Sequence, residues 1–301
     1  MLVMAFIRKI NDYYVLAHSV RKGSRVVQKT KYLGKKIPPK KRLNQLEKEL
    51  MQEIAGKKYA YLSARDVSII ESKKKEYSKE IDALNLFEKK AHFEQFMIRY
   101  TYDSSKLSGV NVTLRQTYLV LKDGIIPKDF KNLRTVKELE NHERGVVAVT
   151  QYKGKLDARF IKKLHKILFS GVDDSIAGKM RGELRRNVKI AGTSYVPPKW
   201  DVVEKEFVQF FGWYHSESRK LHPLELAALV HLRMISLQPF ADGNSRLSRL
   251  LMNWVLWKKG YPMIDISIKD VELYYNALDL YQVEHNEKPF IDYIKEKYLQ
   301  G

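Results

Sequence analysis

Cysteine is absent from all 301 residues, which excludes disulfides and thiolate metal centres and makes the cytoplasm the default compartment. Also missing is any apolar run near the roughly 20 residues that span a bilayer, so no membrane partner is expected. The opening Met1-Leu2-Val3-Met4-Ala5-Phe6-Ile7 is short, has no basic residue ahead of it and runs straight into strand-like sequence. A signal peptide is therefore not expected. There is no internal repeat and no low-complexity tract. Hydrophobic residues make up 44%, enough to build a core and too many for a disordered chain, so one main domain with extensions is expected.

Negative charge is scarce. Lys and Arg number 55 against 35 Asp and Glu, a formal net charge of +20. The imbalance is steepest at the start, where Arg8, Lys9, Arg21, Lys22, Arg25, Lys29, Lys31, Lys35, Lys36, Lys40, Lys41 and Arg42 face only Asp12. One reading is nucleic-acid binding through this segment, since clustered cations displace counterions from phosphates. The other is a lysine-rich surface that meets acidic partners or nucleotides.

The same segment reads as strands. Phe6 to Ile10, Tyr13 to Val20 and Arg25 to Tyr32 are rich in aromatic and β-branched residues, with turn formers at Asn11-Asp12 and Lys22-Gly23-Ser24 between them. This predicts a small antiparallel meander closed by Gly34 and Pro38-Pro39. From Leu43 to about Lys90 the pattern is helical and charged, with Leu46, Leu50 and Ile54 four apart. Beyond Ala91 the periodicity predicts helices over 91–102, 113–122, 135–150, 157–170, 201–216, 223–237, 245–259, 269–285 and 288–298. Arg185 to Gly192 alternates instead, which predicts a β-hairpin flap turning at Gly192. Tyr195-Val196-Pro197-Pro198 then interrupts regular structure.

Chemistry is concentrated between two helices that are apolar nearly all round, Leu224 to Leu237 and Leu247 to Trp257. The loop joining them is Gln238-Pro239-Phe240-Ala241-Asp242-Gly243-Asn244-Ser245-Arg246. A loop entering a helix offers unpaired backbone N–H groups and the positive end of a dipole, which suits phosphate. Gly243 has no Cβ to block an anion, and Arg246 and Arg249 share a helix face at i, i+3. Asp242 offers a hard oxygen for Mg²⁺. The alternative on these facts alone is a capped helix-loop-helix with exposed arginines.

The loop resembles the motif of the Fic (Fido) family, His-Pro-Phe-x-Asp-Gly-Asn-Gly-Arg-x-x-Arg, with Pro239, Phe240, Asp242, Gly243, Asn244, Arg246 and Arg249 in place. Leu164 to Leu168, Ala177 to Arg181, Val196 to Pro198, His222 to His231, Gly260 to Pro262 and Tyr274 to Leu278 are similar to the family's flanking sequence. The resemblance covers roughly 91–298, and the basic meander is similar to the opening of some archaeal members. It implies a mainly α Fic/Fido fold with a β-hairpin flap, and the organisation 1–42 basic β meander, 43–90 charged helical arm, 91–301 Fic/Fido domain. The implied activity is transfer of AMP from ATP to a Ser, Thr or Tyr hydroxyl of a target protein. Asp242 would hold Mg²⁺, Gly243, Asn244, Ser245 and Arg246 the phosphates, and Arg249 the terminal phosphate. Lys189, Ile190, Ala191 and Gly192 would form the flap that docks the target. A homodimer is left open.

Three positions depart from the pattern. Gln238 occupies the place of the histidine that removes the hydroxyl proton; an imidazole with a pKa near 6.5 can do this and a neutral amide cannot. Transfer is accordingly expected to be reduced or lost, with an active nucleotidyl- or phosphotransferase using an unusual base as the alternative. Ser245 stands where the family has glycine, as happens in the related Doc toxins, which use the nucleotide as a phosphate donor. Ser104-Ser105-Lys106-Leu107-Ser108-Gly109 resembles the inhibitory motif Ser-Ser-x-Ile-Glu-Gly, whose glutamate pairs with the second arginine. Ser108 carries no charge and cannot make that ion pair.

Overall fold

The computed structural model describes residues 5–22, 25–54, 59–130 and 133–300. The chain divides into two units, residues 1–68 and 69–301. In the first, β1 (Phe6–Ile10), β2 (Tyr13–Lys22) and β3 (Arg25–Gly34) form one antiparallel sheet in the order β1-β2-β3. Asn11, at φ 49°, makes the two-residue turn that joins Ile10 to Tyr13. The turn expected at Gly23-Ser24 lies outside the described residues. A bulge falls between Tyr14, which pairs with Gly34, and Val15, which pairs with Tyr32.

Helix α1 (Lys40–Ile54) follows Pro38-Pro39, and its four-residue spacing turns Leu46 and Leu50 onto Leu16 of β2. These three side chains, with Ala5, Leu33 and Leu43 packed around them, are the core of this unit. Part of its positive charge is answered locally, since Lys31 pairs with Glu49 of α1 at 2.7 Å.

The chain enters the second unit along α2 (Ala64–Ala83), and α3 (Leu86–Lys106) follows at once. A reciprocal Asn85–Glu88 cap sets the start of α3, so this helix begins earlier than the periodicity predicts and runs through residue 90 without a break. Next come α4 (Leu114–Leu121), α5 (Leu133–Gln151), α6 (Ala158–Phe169) and the single turn α7 (Arg181–Leu184). The remaining helices are α8 (Val203–Glu217), α9 (Pro223–Leu237), α10 (Asn244–Lys258), α11 (Val271–Glu284) and α12 (Lys288–Gln300).

Helices α9 and α10 form the centre, as their all-round apolarity predicts. Thirteen of the fifteen residues of α9 are buried, including Leu226, Ala227, Ala228, Val230 and Leu232. Pro223 at the first position and the His222–Glu225 capping box start α9 sharply. The fold is thus mainly α with a small β meander. Among the described residues no helix is long and apolar enough to cross a membrane.

The β-hairpin flap is corrected by the structure. Residues 185–199 contain no strand, and the one sheet among the described residues is β1–β3. The alternation at Arg185 to Gly192 is genuine, but a strand exists only where a neighbour completes its ladder. The returning arm carries Pro197 and Pro198, which have no N–H to donate. The segment stays an unpaired loop turning at Gly192, φ +81°.

Leu247, fully buried in α10, tests this arrangement. Leu247→Ala is expected to cost about 2–5 kcal/mol, read as a lower urea midpoint; an unchanged midpoint would contradict a packed α9–α10 centre.

Candidate functional site

The loop between α9 and α10 is fixed by its own polar side chains. Helix α9 ends at Gln238, a non-glycine residue in the left-handed region at φ 48°, ψ 58°. The Gln238 amide is engaged at both ends: Nε2 donates to the Ile235 carbonyl at 2.7 Å, and Oε1 accepts from Asn244 Nδ2 at 2.7 Å. Asn244 also closes the loop on itself, because its Oδ1 accepts from the Phe240 N–H at 3.0 Å and its Nδ2 donates to the Phe240 carbonyl at 2.9 Å. One amide pair therefore ties the last turn of α9 to the first turn of α10.

Gly243 is required here for two reasons. Its φ is +75°, and a Cβ added to it would lie 2.3 Å from Phe169 Cε2. The backbone thus runs directly over the Phe169 ring at the end of α6. Phe240 stacks on His165 of α6 at 3.8 Å with ring planes 6° apart. His165 Nδ1 accepts from the Gly178 N–H at 2.9 Å, so its proton sits on Nε2 and is donated to the Asp242 carbonyl at 3.0 Å. Burial then holds this imidazole neutral, lowering its pKa to about 4.

Two residues outside the loop complete its frame, and no spacing rule in the sequence points to them. Arg181 is buried at the start of α7 and donates from Nη2 to the carbonyls of Pro198 (2.8 Å) and Leu237 (3.3 Å), and from Nε to that of Gln238. A guanidinium thus covers the carbonyl end of α9 where the helix dipole is negative. Glu138 of α5, also buried, accepts from Arg134 Nε at 3.3 Å and stands 4.0 Å from Arg246 Nη1. A sign of Arg181 was the Ala177-Gly178-Lys179-Met180-Arg181 stretch; for Glu138 there was none.

The predicted binding residues come together around the first turn of α10. Gly243, Asn244, Ser245 and Arg246 are consecutive, and the N–H groups of residues 244–246 precede the first intrahelical bond, from Leu247 N–H to the Gly243 carbonyl. Asp242 is exposed, and one of its oxygens accepts from the Gly243 N–H at 2.6 Å. Arg246 is 5% exposed, lies with its guanidinium 5.2 Å from the Phe169 ring, and has a buried Nε with no hydrogen-bond partner.

Arg249 is held differently from its predicted role at a terminal phosphate. It is 1% exposed and turned onto the end of α3, where Nε donates to Ser104 Oγ (3.0 Å) and Nη2 to the Ser104 carbonyl (2.7 Å) and Ser108 Oγ (2.7 Å). Ser108, which the resemblance aligns with the glutamate of the inhibitory motif, meets Arg249 through a neutral hydroxyl. Ser105 is buried beside them, its carbonyl accepting from the N–H groups of Ser108 and Val110, and Gly109 turns the chain at φ +83°. Lys189, Ile190, Ala191 and Gly192 lie in the unpaired loop, with Lys189, Ala191 and Gly192 exposed.

Three buried histidines of this unit are held in structural contacts. His231, also on α9, contacts the Tyr274 hydroxyl at 3.0 Å and stacks on Phe290, and burial pushes its pKa well down. His222 caps α9, accepting from the Leu224 N–H at its Nδ1 and donating from Nε2 to Glu71 at 3.1 Å. His142 is buried against Thr101 at 2.9 Å and is likewise pushed well down.

The fit to a nucleotide and its cation can be judged from these groups. Among the described residues, the carboxylate in ion-pair reach of these two buried guanidinium groups is Glu138, 4.0 Å from Arg246; Arg246 Nε is orphaned, and Gly243 leaves its backbone uncovered by a Cβ. Buried positive charge of this kind is relieved by an anion. Among the described residues no cluster of three or more His, Cys, Asp or Glu could hold a metal. A lone exposed carboxylate such as Asp242 suits Mg²⁺, which takes most of its ligands from phosphate and water.

Comparisons with known proteins agree on one family. A family model described as the Fic/DOC family matches residues 155–256. The chain is 32% identical over 217 residues to a protein adenylyltransferase Fic of Drosophila virilis, covering 71% of this chain and 42% of that protein. The Drosophila melanogaster protein of the same name is 31% identical over the same length and shares. The chain thus spans about two fifths of the length of these curated relatives. A Fic domain containing signaling protein from Bacteroides thetaiotaomicron superposes with a TM-score of 0.69 at 28% identity, covering 78% of this chain and 93% of that one. Fic-1 of C. elegans (aa134–508) superposes with a TM-score of 0.66 at 20% identity, covering 87% and 75%, and attests to the fold alone.

Two outcomes check the site's construction. Gly243→Ala places a methyl carbon in the Phe169 ring and strains φ, so it is expected to lower the thermal midpoint and to weaken any anion binding. The neutral His165 predicts acid sensitivity. Above pH 6.5 both states carry it neutral; between pH 6.5 and 4 only the unfolded chain takes up the proton, so stability falls by about 3 kcal/mol over that window. Urea midpoints at pH 7 and pH 4.5 should differ in the wild type and differ by less in His165→Asn, the remainder coming from buried His142 and His231.

Proposed function

We propose that this chain, which belongs to the Fic/DOC family, is a nucleotide-binding relative of the protein adenylyltransferases whose AMP transfer is reduced or lost because Gln238 stands in place of the catalytic histidine. The observation that carries this reading is the Gln238 amide, neutral and bonded at both ends. A general base must hold a free lone pair against the hydroxyl it deprotonates. Gln238 Oε1 is occupied by Asn244, and an amide oxygen has no useful basicity at neutral pH. Losing such a base typically lowers a rate by about 10²–10⁴-fold.

Nucleotide binding rests on groups that Gln238 does not disturb. In this reading the amides of residues 244–246 and the Arg246 guanidinium receive phosphate oxygens from ATP, filling the position that Arg246 Nε faces without a partner. Asp242 supplies the protein's oxygen to Mg²⁺, which when bound offsets phosphate charge. Arg249 reaches a terminal phosphate only after giving up Ser108 and Ser104. A neutral hydroxyl is easier to displace than a carboxylate, so the arginine is restrained but not locked. The exposed loop 189–192 has unpaired backbone, which suits the addition of an extended target segment carrying a Ser, Thr or Tyr hydroxyl.

Calorimetry with ATP and Mg²⁺ tests the binding half. Saturable binding is expected, weakened at least tenfold by Arg246→Ala and retained in Gln238→His. Absence of binding to the wild-type chain would overturn it.

A further inference from the structure

A second cavity lies within the 69–301 unit, lined by α2, α3, the 262–267 segment and the end of α12, and includes none of the loop residues described above. Its volume is about 950 Å³, room for a ligand of nucleotide size. Its walls are aromatic: Tyr77 of α2, Phe93 and Phe96 of α3, Trp257 of α10 and Tyr298 of α12. Phe93 and Trp257 stand 6.3 Å apart, and Trp257 is fixed by its Nε1 donating to the Thr150 carbonyl at 3.1 Å.

Cations exceed anions around this space. Lys73, Lys89, Arg99 and Lys297 line it, against Glu80 and Asp265. Lys297 is paired with Asp270 at 2.6 Å, whereas no carboxylate among the described residues lies in ion-pair contact with Lys73, Lys89 or Arg99. Two buried polar atoms of lining residues are also unpartnered, the Tyr298 hydroxyl oxygen and Asp265 Oδ1. Asp265 shares a hydrogen bond with Asp103 of α3, and burial beside that second carboxyl raises its pKa well above the ordinary range. A wall of rings, three available cations and two unsatisfied polar atoms describe a ligand with a planar apolar body and an acidic group.

We propose that this cavity is a second ligand site, separate from the α9–α10 loop, for a planar aromatic anion of nucleoside-phosphate size. The rings would sandwich the planar part, Arg99 and Lys89 would meet the acidic group, and the Tyr298 hydroxyl would donate to it. The occupant would touch α3 at Arg99, five residues before Ser104, the residue that holds Arg249.

The test uses the full chain and the dye anilinonaphthalene sulfonate, followed by its fluorescence. A single saturable site is expected. Arg99→Ala combined with Lys89→Ala, neither of which contributes to the core, should raise the dissociation constant at least tenfold with an unchanged melting curve. Tyr298→Phe should weaken binding severalfold. The uncharged analogue phenylnaphthylamine should bind at least tenfold less tightly than the sulfonate. Arg246→Ala should leave dye binding intact, which separates this site from the proposed ATP site. No saturable binding, indifference to the double variant, equal binding of the uncharged analogue, or loss of binding in Arg246→Ala would each overturn the proposal.

Discussion

The hydrogen-bonded pair Gln238–Asn244 fixes the handover from α9 to α10, and the rest of the site is built around it. Helix α9 must stop abruptly, and Gln238 does this in a left-handed conformation that costs an ordinary residue on the order of 1 kcal/mol. The cost is offset by three side-chain hydrogen bonds of Asn244 and by Arg181 over the exposed carbonyls of α9. Phe240 and Gly243 are then pressed against His165 and Phe169, so the loop is held from below as well as along its length. Few of these contacts are interchangeable. In the proposed function the amide that secures the turn stands where a base would accept a proton, and it cannot do both.

Electrostatics supplies the second constraint. Arg246 and Arg249 leave the same face of α10 and both are buried, an arrangement that is unfavourable without nearby acceptors. Arg246 is offset by Glu138 and the Phe169 ring, while Arg249 is received by two serines and a backbone carbonyl. Each is therefore tolerated in the absence of ligand without being neutralised by a tight ion pair. In the proposed function, a phosphate entering the loop would meet Arg246 already positioned, whereas Arg249 would first have to leave Ser104 and Ser108.

Much of this was legible in the sequence because it depends on short-range patterns. The all-round apolarity of Leu224 to Leu237 marked a central helix, and the loop before Asn244 was recognisable from glycine, asparagine and the i, i+3 arginines. What could not be read depends on contacts between distant segments. Glu138 lies 108 positions before Arg246, and nothing local marks one glutamate of a charged helix as its counter-ion. The alternation at 185–192 reads as a strand, but whether it pairs is decided by another segment, and Pro197-Pro198 denies it one. Ser108 is a further case: its neutral side chain is plain in the sequence, whereas only the fold brings its hydroxyl to Arg249.

The most direct measurement is mass spectrometry of the wild-type chain and of Gln238→His after incubation with ATP and Mg²⁺. The account predicts AMP attached to the histidine variant at a rate about 10²–10⁴-fold above the wild type. Equal modification of both would contradict it, since the neutral, doubly bonded amide of Gln238 could then not be what limits transfer.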